Sequence, residues 1–308
     1  MGRRHRKSTV HGWLVLDKPL GMSSNQALSR LKRIFDCPKA GHAGTLDPLA
    51  SGLLPVALGE ATKTVPFIVD AAKIYRFDAV WGARTATDDL EGEIVAESAS
   101  RPTAEEIDRL LPRFVGRIAQ VPPAYSAIKV AGERAYARAR SGEAVEMAER
   151  EVDIHRLERL GTATADERLE RTTLECDCGK GTYIRAIARD LGAALGCQGH
   201  VGALRRLRVG PFMEADMVTF EIIEAAAEHG ADGLTRLLRP LEVALTGMTK
   251  ITLRADDAAT LARGQPALLR GRDAPLVHGP VCVMCEGRAV AIGEGDGGRI
   301  HPRRIFQY

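Results

Sequence analysis

Ile74-Tyr75-Arg76-Phe77-Asp78-Ala79-Val80-Trp81 has the period of a β-strand, with Tyr75, Phe77, Ala79 and Trp81 on one side. Toward the N-terminus, Trp13 to Leu16 reads as a short apolar strand, stopped by Asp17-Lys18-Pro19 and Gly21. A helix is expected next, with Ser23 or Ser24 as N-cap and Leu28, Leu31, Ile34 and Phe35 on one face. Residues 41–59 are rich in glycine and proline and read as a long loop with apolar anchors.

Toward the C-terminus, Thr103-Ala104-Glu105-Glu106 follows Pro102 as a capping box and opens a helix through Ile107, Leu110, Leu111 and Phe114. Strands are expected near 152–157 and 172–178. Thr182 is expected to cap a helix carrying Ile184, Ile187, Leu191 and Leu195, closed by Gly196. Strands and isolated helices without regular βαβ spacing predict an α+β fold on a mixed sheet, not a doubly wound one. Around 245–250 the texture changes. Ile251 to Arg254, Val281 to Met284 and Ala289 to Ile292 read as short strands separated by turns such as Gly293–Gly298. That is the pattern of a small separate β-rich module.

The 308 residues are 45% hydrophobic, enough for one large domain and a small one. The 27% charged content excludes a disordered chain. No apolar run approaches the roughly 20 residues that cross a bilayer, and the basic start Arg3-Arg4-His5-Arg6-Lys7 has no apolar core of the secretory kind. A cytoplasmic protein is expected. A net charge of +3 does not by itself announce nucleic-acid binding. Arginine clusters at 3–6, at Arg134, Arg138 and Arg140, and at Arg205, Arg206 and Arg208 suit either phosphate contact or solvated surface.

The six cysteines read mostly as buried thiols. Cys282-Val283-Met284-Cys285 has the spacing of half a zinc site, but no second ligand pair accompanies it, so no metal is expected.

Chemistry concentrates in Gly41-His42-Ala43-Gly44-Thr45-Leu46-Asp47-Pro48-Leu49-Ala50-Ser51-Gly52. Pro48 restricts Asp47 to extended geometry, which helps to aim its carboxylate. An aspartate in a loop is commonly a turn residue or a cap. Here it shares a constrained segment with His42 and apolar anchors, which makes it a candidate site. The segment lacks the Gly-Lys-Ser/Thr ending of a P-loop and the G-x-G-x-x-G of a dinucleotide fold. The H-x-E and P-C-x-x-C pattern of zinc nucleobase deaminases is also missing.

An ordered series of motifs resembles the TruB family of tRNA pseudouridine synthases. It comprises Gly12–Ser24, residues 41–63 ending in Leu58-Gly-Glu-Ala-Thr-Lys63, Lys73-Ile74-Tyr75, and Gly82–Asp89 followed by Gly92. Val121–Lys129, Gly181-Thr-Tyr-Ile-Arg185 and Leu204-Arg-Arg206 complete it. The resemblance implies a mixed, mostly antiparallel catalytic sheet over 11–246, behind a basic arm at 1–10 and with an RNA-contacting insertion at about 121–145. A PUA-like RNA-binding domain is implied at 247–308. It also implies isomerisation of uridine to pseudouridine at position 55 in the tRNA T loop, by a monomer without cofactor, guide RNA or obligatory protein partner.

By the same resemblance Asp47 is the catalytic carboxylate, Arg185 its ion-pair partner, and Tyr75 the aromatic that stacks on the base and relays the C5 proton. Leu204 lines the pocket, and His42 fills the space that the flipped base leaves in the T loop. Lys18 contacts phosphate or braces the loop. Gly44, Thr45, Asp89 and Tyr183 complete the substrate-binding set, Asp89 with a structural role as the alternative. Without the resemblance, Tyr75 reads as a core aromatic, Arg185 as surface charge and His42 as a loop hydrogen-bonder. Two other functions fit parts of the pattern: an RNA-binding or tRNA-folding protein, and an RNA-guided relative of the dyskerin type.

Overall fold

The computed structural model describes residues 10–126, 128–130, 133–135, 138, 147–269 and 275–308; the arm from Arg3 to Lys7 and much of the arginine-rich excursion, Arg140 included, lie outside them. The chain begins with β1 (Gly12–Lys18), α1 (Ser24–Ile34), the short β2 (Ala40–His42) and β3 (Ala50–Leu58). A 3-10 turn over Gly59–Thr64 leads through α2 (Val65–Val69) to β4 (Lys73–Trp81). The hairpin β5 (Ala83–Thr85) and β6 (Ile94–Glu97) precedes α3 (Ala104–Leu110) and β7 (Gly116–Gln120). Next come the pair β8 (Lys129–Val130) and β9 (Glu133–Arg134), then β10 (Arg150–Leu160) and β11 (Arg171–Cys178). The helix α4 (Ile184–Ala194) is followed by β12 (Gly199–Val209), β13 (Phe212–Met213), α5 (Phe220–Ala227) and α6 (Gly230–Thr235).

The main sheet runs β1-β3-β12-β4-β11-β10-β7, with β2 added to β3 and β13 to β12. β3 and β12 are parallel and the other pairs antiparallel. The fold is α+β on a mixed, mostly antiparallel sheet, as expected. Alternation along β4 works as read: Phe77, Ala79 and Trp81 enter one core with Leu174 of β11 and Ile187 and Leu191 of α4. Ser23 caps α1 and Thr103 caps α3, each closing a capping box, with Gln26 and Glu106 respectively.

Two central strands are not where the sequence put them. Residues 41–59, read as loop, contain the last two residues of β2 and all nine of β3. β3 is covered on both faces: Leu53 and Ala57 pack with Trp13 and Phe212, while Leu54, Val56 and Leu58 pack with Leu31 and Phe220. Such a strand is apolar throughout and shows no alternation. Pro55 falls where β12 has ended at Gly52 and β2 begins at Val56, so its missing N–H leaves no ladder partner unserved. Gly52 (φ +95°) lies so close to β12 that a Cβ would stand 2.4 Å from the Arg206 carbonyl. β12 itself was hidden by Arg205, Arg206 and Arg208, whose charge reads as surface.

A second sheet follows, from β14 (Thr249–Thr252), past α7 (Ala255–Ala262), to β15 (Ala267–Leu268), β16 (Val277–Cys285), β17 (Arg288–Gly297) and β18 (Arg299–Ile305), ordered β14-β16-β17-β18-β15. The run Gly293–Gly298, expected to be a turn, is strand as far as Gly297. Its backbone is paired with β16 on one side and β18 on the other. All six cysteines are free thiols, five of them buried. No helix among the described residues is long and apolar enough to cross a membrane.

This second sheet docks on the first through Cys282, Ala289, Ile292 and Phe306, which pack with Trp13, Phe212, Leu241 and Leu245. A polar clasp adjoins them. Glu60 accepts from Lys39 (2.9 Å), Lys63 (2.5 Å) and the Gln307 amide (2.9 Å), and Lys63 also donates to the Ile305 carbonyl. Burial works to raise the Glu60 carboxyl, but the bonds from Lys63, Lys39 and Gln307 outweigh it and hold the pKa at about 2 instead of 4.5. A depressed carboxyl stabilises the fold fully above pH 4.5, and the contribution is lost as pH falls toward 2. Urea unfolding of Glu60→Gln is therefore expected to show a lower midpoint than wild type at neutral pH. The two midpoints should converge as pH drops from 4.5 toward 2.

Candidate active site

Asp47 lies between β2 and β3 in a segment fastened from both sides by the turn that joins β1 to α1. Ser24 Oγ donates to the Leu46 carbonyl (3.0 Å) and accepts from the Leu46 N–H (2.8 Å), while Gly21 N–H donates to the Pro48 carbonyl (2.8 Å). Of the two serines offered as cap, Ser23 takes that work and leaves Ser24 to hold the aspartate loop. Lys18 has no exposed surface, and its Nζ donates to the carbonyls of Pro19 (2.9 Å) and Met22 (2.7 Å). Lys18 therefore braces the turn. The expected phosphate contact is corrected, because a side chain without accessible surface reaches no phosphate.

The ion pair is formed: Arg185 Nη2 stands 2.9 Å from Asp47 Oδ2. The guanidinium is held by more than Asp47. Nη1 donates to the Thr87 carbonyl (2.8 Å) and faces Asp89 Oδ2 at 3.5 Å, and Nη2 donates to the Tyr125 carbonyl (2.9 Å). Asp89 is itself fixed, accepting from Thr87 Oγ1 (2.5 Å) and the Glu91 amide (3.0 Å). It borders the recess, yet its carboxylate is directed at Arg185, which favours the structural alternative. The Arg185 side chain is 7% exposed and Asp47 is 44% exposed, so one partner is locked and the other is reachable.

Thr182 does not cap α4: its hydroxyl donates to the Gly179 carbonyl (3.2 Å), and Tyr183 occupies the N-cap position without a side-chain bond. Gln120 serves instead, accepting from the Tyr183 N–H (2.9 Å) and donating to its carbonyl (3.2 Å). The first turn of α4 carries no acid, so the anions that a helix N-terminus favours arrive from distant segments as Asp47 and Asp89. Burial raises the pKa of the Tyr183 phenol, reinforced by the charge of Asp47 and opposed by that of Arg185.

A small recess opens between these groups, lined by Asp47, Asp89, Arg185 and the β12 residues Val201 to Leu204. Leu204 and Tyr75 each pack against both neighbouring cores. His42, on β2, is half-buried, with an Nδ1 that finds no hydrogen-bond partner among the described residues. Burial first, and then the charge of Arg206, lowers its pKa, so the ring is neutral at pH 7. Gly44 (φ +96°) turns its carbonyl to Arg206 Nη2 (3.1 Å), and Thr45 is exposed beside it.

Arg206, Ser24 and Gln120 were not singled out from the sequence as site residues. The cluster Arg205, Arg206 and Arg208 is not a phosphate patch. Arg205 is bidentate to Asp17 (2.9 Å to each oxygen), Arg206 is 1% exposed, and Arg208 bonds the Gly210 carbonyl (3.0 Å). The spacing of Leu204, Arg206 and Arg208 by two residues was the available signal for a strand. Among the described residues, no group of His, Cys, Asp and Glu suits a metal ion.

Two outcomes follow from the burial. Arg185→Met strands the buried Asp89 carboxylate and is expected to destabilise the protein by about 3–5 kcal/mol in urea unfolding. Asp47→Asn, at a half-exposed position, is expected to alter stability by about 1 kcal/mol or less. Burial lowers the Lys18 pKa from 10.5 to about 8, with Asp47 opposing and Arg206 assisting. The folded protein then binds fewer protons than the unfolded chain between those values, so the Lys18 contribution to stability rises from pH 8 toward 10.5. Lys18→Met is expected to flatten that rise in unfolding curves.

Comparison with known proteins supplies the family. Residues 32–184 match the model of the TruB family pseudouridylate synthase N-terminal domain, and residues 185–246 that of the tRNA pseudouridylate synthase B C-terminal domain. A protein of Bradyrhizobium diazoefficiens named tRNA pseudouridine synthase B is 54% identical over 99% of this chain and 88% of its own length. One of the same name from Brucella ovis is 47% identical, covering 99% of each. A chain in the crystal structure of a Cbf5-Nop10-Gar1 complex aligns with a TM-score of 0.73 at 25% identity, over 96% of this chain and 85% of that one. With a fixed Arg185–Asp47 pair inside the matched region, the chain belongs to the TruB family of pseudouridylate synthases.

Proposed function

We propose that this chain isomerises uridine to pseudouridine at position 55 in the T loop of tRNA, as a stand-alone cytoplasmic enzyme that uses no guide RNA and no cofactor. The observation that carries the reading is an aspartate that remains 44% exposed while its partner arginine is locked behind it at 2.9 Å. A carboxylate with its counter-charge fixed behind it and one face open to the recess can act as a nucleophile.

The reaction breaks N1–C1′, turns the uracil and joins C5 to C1′. C5 loses a proton and N1 gains one, so nothing is oxidised or consumed. Asp47 attacks either C1′ or C6, both of which call for the same group. Tyr75 stacks on the base and relays the C5 proton, Leu204 supports the ring, and Tyr183 closes the recess beside Asp47. The uridine must leave its loop, which costs a few kcal/mol. His42 offsets part of this by stacking in the vacated place, where a neutral ring suits an aromatic surface. Gly44 and Thr45 border the path of the RNA. Residues 11–246 form the catalytic domain and 247–308 a PUA-like RNA-binding domain, in a monomer without an obligatory protein partner.

The names of the relatives support tRNA as substrate, and a pure RNA binder has no use for a charged carboxylate facing its ligand. In single-turnover assays Asp47→Asn is expected to lose on the order of 10⁴-fold in rate and to bind tRNA as wild type does. Wild-type protein alone is expected to convert one uridine in an unmodified T-arm hairpin. Binding without conversion would sink the enzymatic reading, and conversion only with an added guide RNA would sink the stand-alone one.

A further inference from the structure

A buried cation lies beneath the recess, and the reaction as described does not use it. Arg206 projects from β12, opposite Gly52 of β3 and Tyr75 of β4. Its Nε donates to the Leu53 carbonyl (2.7 Å) and its Nη2 to the Gly44 carbonyl (3.1 Å). Both partners are neutral backbone oxygens, and no carboxylate pairs with it among the described residues. Two further cations, Lys18 and Lys73, lie within reach of its charge, which acts to lower the pKa of each. A cation in such a place is expensive to desolvate, and an apolar residue would fill a sheet interior at less cost.

Strand geometry shows what the guanidinium reaches. Directly paired residues on antiparallel strands point to the same face, so Arg206 and Tyr75 are side-by-side neighbours. Leu204, two residues back on β12, shares that face and lines the recess. Burial raises the Tyr75 phenol, and the charge of Arg206 acts to lower it. The same planar group therefore bonds the loop that carries Asp47 and the backbone of β3, and it stands beside Tyr75.

We propose that Arg206 is a positioning residue for the isomerisation: its guanidinium ties the Gly44 carbonyl to the β3 backbone beside Tyr75 and sets the separation at which Asp47 and Tyr75 meet the base. This rests on the reading of Asp47 and Tyr75 as the reacting pair. Lysine keeps the charge but not the planar fork that spans several acceptors. Arg206→Lys is therefore expected to slow single-turnover pseudouridine formation by about 10- to 100-fold while tRNA affinity stays within about twofold.

The deciding measurement is a double-mutant cycle with Tyr75→Phe. If Arg206 works through Tyr75, Arg206→Lys costs much less in the Tyr75→Phe background than in wild type. Rate losses that multiply to within about twofold would overturn the proposal, as would a loss of tRNA affinity that accounts for the whole rate effect. A Tyr75→Phe enzyme as fast as wild type would instead overturn the reading of Tyr75. Should Arg206→Lys not fold, Tyr75→Phe alone carries the test by NMR. A shifted and faster-exchanging Arg206 Nη–H resonance supports the contact, and an unchanged one refutes it.

Discussion

Arg185 sets a charge where segments that are far apart in the chain converge: the aspartate loop, the excursion between β4 and α3, the stretch around Tyr125, and α4 itself. A guanidinium is suited to this because its donors lie in one plane and point in fixed directions. Two carboxylates and two carbonyls share it, so the charge is buried without being left unsatisfied. The arrangement is asymmetric. Asp89 is sealed against the arginine, while Asp47 keeps a face open to whatever enters the recess. Arg185 thus supplies a fixed counter-charge, and Asp47 keeps the accessible face.

The rest of the architecture keeps Asp47 still. Ser24 and Gly21 grip the backbone on either side of it, Lys18 stiffens the turn from which they reach, and Arg206 ties Gly44 to β3. These bonds are made to backbone atoms, which fixes the path of the loop and leaves the aspartate side chain free. β3 gives the whole assembly a rigid floor because it is packed on both faces. The second sheet leans on the same part of the molecule through Trp13, Phe212 and the Glu60 clasp, so the C-terminal strands bear directly on the elements that flank the aspartate loop.

What the sequence determined by itself was local. Period-two alternation identified β4, the Thr103–Glu106 box opened α3, and Gly and Pro around Asp47 marked a constrained carboxylate. The ordered motifs then identified the family and, through it, Arg185 as the partner. Tertiary structure decided the rest, for three physical reasons. A strand buried on both faces loses its alternation, which hid β3. An arginine looks the same in a sequence whether it is solvated or sealed, which hid Arg206 and, with it, β12. Finally, the partners of a buried charge are chosen by proximity in space, so residues 47, 89 and 185 become one ionic unit, and Lys18 a brace, only after the sheet has brought them together.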